Sequence, residues 1–378
     1  MSSERIIIIG AGMAGASTAY FLTRRGIGNI RILEKEKLAG MHSSGLNAAI
    51  LRTMIPERHL NMLARESAEF YLKPPNGFSS EPLVDKTGIY LAACKGKEAI
   101  LQSWCGDNPE TGMEPIPVER VYKRIPYLRR GLGMAAWKAD DGVMDIHAML
   151  QGFLRGAVRA GAEFCASVRF LGLRTQNGQV TGVETSEGFM EAGKVVAANG
   201  AWASDDETFG GYGLPFVPYR RHLLVTEASA QVDSRQPVVW IAGEEFYFRP
   251  ESGGLLMCGC DAVAVAPDMG EITDPAQLER IADKASRWLP QFSNAGIIKA
   301  WAGMRTFVPD NEFVIGADPR LRGFYWVAGL GGHGVVCAPL IGRLAADCIS
   351  DGGSAHPAAS AFSPERLVKN YARSDYRR

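Results

Sequence analysis

Four isoleucines, Ile6–Ile9, stand between the charged pair Glu4-Arg5 and a glycine. An uninterrupted β-branched run of this length predicts a strand buried on both faces, over residues 5–9. An alanine-rich stretch carrying Tyr20, Phe21 and Leu22 predicts a helix over 13–25, stopped by Gly26. A second apolar run, 30–33, ends at Glu34 and completes a βαβ unit. Helical spacing returns over 56–73, broken by Pro74-Pro75-Asn76-Gly77, over 146–160 with Ile146, Leu150, Phe153, Leu154 and Val158 on one face, and over 275–288. Strands are predicted over 84–93 with Gly88 interrupting, over 163–173 and 179–185, and over 194–198 before Asn199-Gly200. Four further strands, 221–226, 237–241, 245–249 and 254–258, predict an antiparallel sheet. The polar, proline-containing stretch 106–133 reads as surface connections, and the tail beyond 364 as a frayed end. Near the C-terminus, 324–328 reads as a buried strand running through Gly329 to Gly334 into a helix over 335–350.

This order predicts an α/β fold with two domains. One is a Rossmann-like, glutathione-reductase-type dinucleotide domain, discontinuous over 1–83, 140–215 and 301–378. The other is an α+β domain built on an antiparallel sheet, over 84–139 and 216–300, expected to bind substrate. Composition narrows the partners. Lys+Arg and Asp+Glu both number 41, so no global field draws the chain to nucleic acid or an anionic membrane. No apolar run approaches the ~18 residues of a membrane span, and the Ile6–Ile9 run lacks the basic leader of a signal peptide. The seven cysteines form neither a disulfide framework nor a Cys-x-x-Cys zinc pair. Reduced thiols, no metal and a cytoplasmic setting are the expectation.

The chemistry begins at Gly10-Ala11-Gly12-Met13-Ala14-Gly15, a G-x-G-x-x-G that follows a strand and opens a helix. Gly10 permits the tight turn, Gly12 lets backbone approach a pyrophosphate, and Gly15 lets helix and strand pack closely. The helix N-terminus carries free N–H groups and partial positive charge for the phosphates. Glu34, nineteen residues after Gly15, is placed for ribose hydroxyls. Two features favour FAD over NAD. The loop His42-Ser43-Ser44-Gly45-Leu46-Asn47-Ala48-Ala49 is small and hydroxyl-rich, as suits a cofactor contact. The second glycine turn could also aim a helix N-terminus at the pyrimidine end of the flavin, where reduced flavin is anionic.

Together GAGMAGAST, HSSGLNAA and WAGMRTFVPDNEFVIG…GFYWVAGLGGHGV resemble the D-amino acid oxidase/glycine oxidase/sarcosine oxidase superfamily of flavoproteins, with bacterial D-arginine dehydrogenases the most similar in flavour. The resemblance extends through NGAW (199–202), YRR (219–221) and EEFYFRPESGGLLMCG (244–259). It implies noncovalent FAD and oxidation of a C–N bond to an imine by hydride transfer to flavin N5. It implies that Arg305 and Tyr247 hold a substrate carboxylate, that Arg221 is a further pocket residue, and that Gly331, Gly332, His333, Gly334 and Val335 lie near flavin and substrate. Lys35, Val168, Asn199, Gly200, Trp202 and Gly303 join Met13, Ala14, His42, Ser43, Ser44, Asn47 and Ala48 as expected cofactor contacts. Gly303 stands where some relatives carry a flavin-linked cysteine. Ile50 and Ile55 replace a histidine and a tyrosine of the arginine dehydrogenases, so a less basic side chain or a secondary amine is expected. Two alternatives stay open: 2-hydroxy acid oxidation with His333 as base, and a flavin-binding subunit of a larger amine or opine dehydrogenase complex. The expected partners are a small amine or amino acid and an electron acceptor of undetermined kind.

Overall fold

The computed structural model describes residues 4–106 and 112–370. Its organising element is a six-stranded sheet in the order Val314–Ala317, Phe324–Ala328, Lys194–Ala197, Ile6–Ile9, Ile30–Glu34 and Glu163–Ala166. Neighbours pair in parallel except at the Val314–Ala317 edge, which is antiparallel. The helices Met13–Arg24, Ile146–Arg159 and Ala338–Asp351 share one apolar core on this sheet, including Ile6, Ile8, Phe153 and Ile341. Ile7, Ile9, Val195 and Trp326 enter a second core on the opposite face. Burial on both faces explains the unbroken apolar run of the first strand.

The second large element is a nine-stranded sheet. Residues 217–258 supply Val217–Thr226, Val238–Ala242, Phe246–Glu251 and Gly254–Cys258, as the alternating pattern predicts. The sheet is not wholly antiparallel, because Val238–Ala242 pairs in parallel with Ile89–Cys94. The longest strand, Ile297–Phe307, pairs antiparallel with Val217–Thr226 and runs across the expected boundary at 301. Helix Pro275–Trp288 packs on one face, with Ile281, Ala285 and Trp288 against Phe246, Phe248 and Met257.

Four expectations are corrected. The strand expected over 84–93 is two strands in different sheets: Val84–Asp85 joins a three-stranded sheet, whereas Ile89–Cys94 joins the large one. Gly88 turns the chain between them at φ +78°, against the ring of Trp137. Within 106–133, the described part is not mere connection. It holds helix Val118–Arg124, and Val121, Ile125, Tyr127 and Leu128 are buried under the large sheet; residues 107–111 lie outside the described residues. The helix after the second glycine turn starts at Ala338, because 331–337 form successive turns first. The tail beyond 364 continues as helix Glu365–Asn370, with Leu367 buried and Arg366 donating to Asp310 at 2.8 Å; 371–378 lie outside the described residues.

Among the described residues no helix is long and apolar enough to cross a membrane, and no three His, Cys, Asp or Glu side chains cluster to hold a metal.

Candidate active site

The βαβ unit delivers its glycines to the wall of a cleft of about 460 Å³. Gly10 lies at φ +100°, a conformation open to glycine, and its N–H donates to Leu33 O at 2.7 Å. A Cβ on Gly15 would strike the Gly10 carbonyl, so only glycine lets the helix start this close to the strand. Gly12, Met13 and Ala14 line the cleft. The Met13 N–H donates to Ser44 Oγ at 2.9 Å, so the hydroxyl-rich loop caps the helix while it lines the same cleft.

Glu34, at the end of the second strand, is buried. Its Oε2 accepts from Ala11 N and its Oε1 from Glu36 N, both at 3.0 Å. Each oxygen keeps acceptor capacity for a further donor in the cleft. Lys35, His42, Ser43, Asn47, Val168, Asn199, Gly200 and Trp202 complete this side. Lys35 Nζ stands 3.3 Å from the centre of the Trp202 ring, and His42 packs 4.6 Å from the same ring. His42 bonds Glu36 at 3.0 Å and also contacts Glu271. Gly331, Gly332, Gly334 and Val335 form the opposite wall. Four expected contacts, Gly15, Ala48, Gly303 and His333, do not line this cleft. Gly15 packs behind the turn, the Ala48 carbonyl accepts from Arg249 Nε at 2.7 Å, and Gly303 faces the Leu46 carbonyl.

The cleft suits a dinucleotide. Asn199 Oδ1 is buried at its wall with no hydrogen-bond partner, an acceptor awaiting a donor. A Cβ on Gly12 would come within 2.9 Å of Ser44 Oγ, so glycine there keeps backbone exposed at the cleft wall beside that hydroxyl.

Arg305 joins this cleft to the large sheet. It lies in Ile297–Phe307, where Gly303 pairs with Arg221 and Arg305 with Tyr219. Side chains alternate along a strand, so Arg221, Gly303 and Arg305 share a face. The same face carries Tyr247, Trp240, Leu223 and Cys258, clustered together with Ala48. Arg305 is 8 % exposed and makes no ion pair among the described residues. Arg221 is held differently: its Nε donates to Asp261 O at 3.0 Å and its Nη2 to Cys260 O at 3.5 Å. Arg220 points the other way, bonding Ile272 O at 2.9 Å. His222 anchors Asp261. It accepts Asp274 N–H at Nε2 (2.9 Å), so its proton sits on Nδ1 and faces the Asp261 carboxylate at 2.7 Å.

Electrostatics separate the candidates. Burial raises the Tyr247 hydroxyl well above its ordinary pKa, against the pull of Arg305 and Arg221, so it remains a donor. Burial, with the charges of Arg52, Arg221 and Arg305, pushes His333 down to about 3. Its imidazole is neutral near pH 7 and a poor proton acceptor. His333 does not line the cleft beside its glycine neighbours.

A profile of the FAD dependent oxidoreductase (DAO) family matches residues 5–348. The chain belongs to this family. The likeness read from GAGMAGAST and its companion stretches is borne out, and FAD is the cofactor. The chain is 27 % identical over 360 residues to glycine oxidase from Pseudomonas aeruginosa, covering 92 % of this chain and 95 % of that one. It is 24 % identical over 379 residues to sarcosine oxidase subunit beta from Rhizobium meliloti, covering 97 % and 89 %. In three dimensions it matches L-proline dehydrogenase from P. horikoshii with TM-score 0.86 over 97 % of this chain and 98 % of that one, at 22 % identity, which shows a common fold.

The cleft of this FAD-dependent oxidoreductase is also lined by residues that sequence reasoning passed over. Arg169, Phe170, Leu171, Asp205, Thr208, Asp268, Met304 and Thr306 line the cleft. Asp268 accepts from Trp202 Nε1 at 3.2 Å, tying the two halves of the wall. Met304 and Thr306 flank Arg305 within WAGMRTF, whereas no motif marks the other six. Arg52 does carry a signal: a lone cation within Ile50-Leu51-Arg52-Thr53-Met54-Ile55. It is buried, with its guanidinium 4.3 Å from the centre of the Trp240 ring.

Proposed function

We propose that the chain oxidises the C–N bond of an amino acid, with a primary or secondary amine, to an imine. Arg305 carries this reading: a buried guanidinium without an acidic partner, where the cofactor cleft meets the sheet face bearing Tyr247. A guanidinium fork suits a carboxylate, and a buried cation without a counter-ion is costly. The names of the relatives, glycine oxidase, sarcosine oxidase subunit beta and L-proline dehydrogenase, support an amino acid substrate.

Bound FAD supplies the two-electron oxidant. Gly12, Met13, Ala14, Ser44 and Glu34 would hold its dinucleotide portion, and Gly331, Gly332, Gly334 and Val335 would lie along it; Gly303 offers no side chain for a covalent link. The protein positions the substrate. Arg305 takes the carboxylate, and Tyr247 donates a hydrogen bond to the same group. Arg221, fixed to the 260–261 backbone, adds charge while its geometry stays set by that backbone. The guanidiniums around the pocket lower the pKa of a bound amine and so favour its neutral form, with the proton released to solvent. No protein base is then needed, which agrees with the depressed His333. A 2-hydroxy acid would need one, so that reading is the weaker. A flavin-carrying subunit of a larger assembly is a second reading, favoured by the likeness to a protein named as a subunit. All six described cysteines are free, which supports a reducing, cytoplasmic setting.

The test is anaerobic addition of D-, L- and N-methyl amino acids to the FAD-loaded protein. At least one should bleach the flavin, and Arg305→Met should lower the second-order rate of bleaching about 150- to 5000-fold, from the ~3–5 kcal/mol lost with one partner of a buried pair. Absence of bleaching across the panel overturns the proposal.

A further inference from the structure

Arg52 is 9 % exposed, yet no carboxylate lies within ion-pair distance of it among the described residues. Asp141 and Glu57 act on it only at a distance, without a direct ion pair. Asp141 is turned toward Thr53, accepting Thr53 N at 2.9 Å on one oxygen and Thr53 Oγ1 at 2.8 Å on the other. Glu57 stands on the exposed surface. Thr53 is fixed again through its carbonyl, which accepts Asn61 Nδ2 at 2.9 Å. This clamp holds the backbone beside Arg52, and the guanidinium lies over Trp240. Trp240 in turn stacks on Tyr247, ring centres 4.6 Å apart and planes 24° apart. Arg52 is thus one aromatic ring away from the tyrosine that faces the substrate. The Nε1 atoms of Trp240 and Trp301, which cluster with that face, are buried with no partner. Three guanidiniums, Arg52, Arg221 and Arg305, act together on His333. Against its burial, the Cys260 hydrogen bond and the Arg221 charge hold the Cys258 thiol down to about 6. This thiolate and Asp261 offset Arg221, which also has its carbonyl partners, while Arg52 and Arg305 are left without an ion-pair partner among the described residues.

We infer that the substrate carries two carboxylates: Arg305 and Tyr247 hold the one beside the reacting carbon, and Arg52, backed by Trp240, receives the second. The substrate class is an amino dicarboxylate, with the second acid group on the side chain or on the nitrogen substituent. This rests on the reading of C–N oxidation given above. A guanidinium stacked on an indole keeps its N–H fork in plane and free for a carboxylate, which a lysine at the same place could offer only as a point charge.

The experiment separates binding from turnover. Diglycolate and glutarate, which hold two carboxylates and no amine, are titrated into the FAD-loaded protein against methoxyacetate and butyrate, and the shift of the flavin spectrum is read. The dicarboxylates should bind at least about tenfold more tightly. Arg52→Gln should abolish that preference while leaving monocarboxylate affinity unchanged, and Arg52→Lys should restore part of it. If Arg52→Gln loses its flavin, the Arg52→Lys comparison alone decides, by an intermediate preference. Equal binding of the two classes by the unaltered protein overturns the inference. So does an equal weakening of both classes in the variant, which would place Arg52 on the same carboxylate as Arg305. In parallel, iminodiacetate, aspartate and glutamate are compared with glycine, sarcosine and alanine as flavin reductants. Reduction by monocarboxylates alone overturns the inference and leaves the proposed C–N oxidation standing. Preferential dicarboxylate binding with no reduction by any amine removes the C–N oxidation instead.

Discussion

Tyr247 and Phe248 are adjacent in strand Phe246–Glu251 and both are buried, but they belong to different parts of the protein's work. Phe248 packs with Leu255, Met257, Ile281 and Trp288 under helix Pro275–Trp288. Tyr247 sits with Ala48, Leu223 and Cys258, in the field of Arg221 and Arg305. The two-residue alternation of a strand makes one sheet serve two ends. One face is closed by apolar side chains and holds the sheet to its helix. The other is closed by backbone, aromatic rings and uncompensated cations. Depth of burial does not distinguish them. What does is the kind of partner the buried groups have. The helix side packs apolar side chains around Arg220 and His222, which are hydrogen-bonded, whereas on the site side, among the described residues, Arg52 and Arg305 have no ion-pair partner and two indole N–H groups have no acceptor.

The contrast can be broken by substitution. The largest effect is expected at Phe248→Ala, which should cost about 3–5 kcal/mol in urea unfolding as a core cavity opens, while the folded fraction keeps its rate of flavin reduction. A loss of rate without loss of stability would erase the distinction between the faces. Tyr247→Phe should do the reverse. Losing one hydrogen bond to a charged group, worth ~1.5–3 kcal/mol, should lower the second-order rate of flavin reduction about 10- to 100-fold with the unfolding midpoint little changed. The smallest effect concerns His333. Its folded pKa is about 3, against 6.5 as the ordinary value. The unfolded chain therefore binds a proton that the folded chain refuses, and stability falls as pH drops below 6.5 toward 3. His333→Asn should remove that part of the acid destabilisation, at most about 1.4 kcal/mol at pH 5.5, seen as converging urea midpoints of variant and parent. Parallel curves would mean that His333 is free to titrate.

Much of the scaffold was legible because its elements obey one period each. The isoleucine run, the alanine-rich helix and the helix at 275–288 each carry an unambiguous pattern and lie where expected. Strand Ile297–Phe307 was hidden because its site face carries Gly303 and Arg305, residues that mask the alternation. The buried Val121, Ile125 and Leu128 were hidden by neighbouring prolines and charges that resemble a surface loop. In the site, glycines and hydroxyls announced the cofactor wall, since backbone approach to a ligand leaves few residue choices. Arg52 belongs to no motif, and its isolation became visible only once Thr53, Asp141 and Trp240 were placed around it.

The walls of the cleft run from Ile9 to Val335, and Phe324–Ala328 is placed in the central sheet only by pairing with Lys194–Ala197. A growing polypeptide therefore cannot assemble this cleft from its first half, however complete the opening βαβ unit looks. The complete flavin pocket exists only once the second glycine turn has been made, and a ribosome stalled anywhere before it displays a nucleotide-binding motif with only part of its pocket.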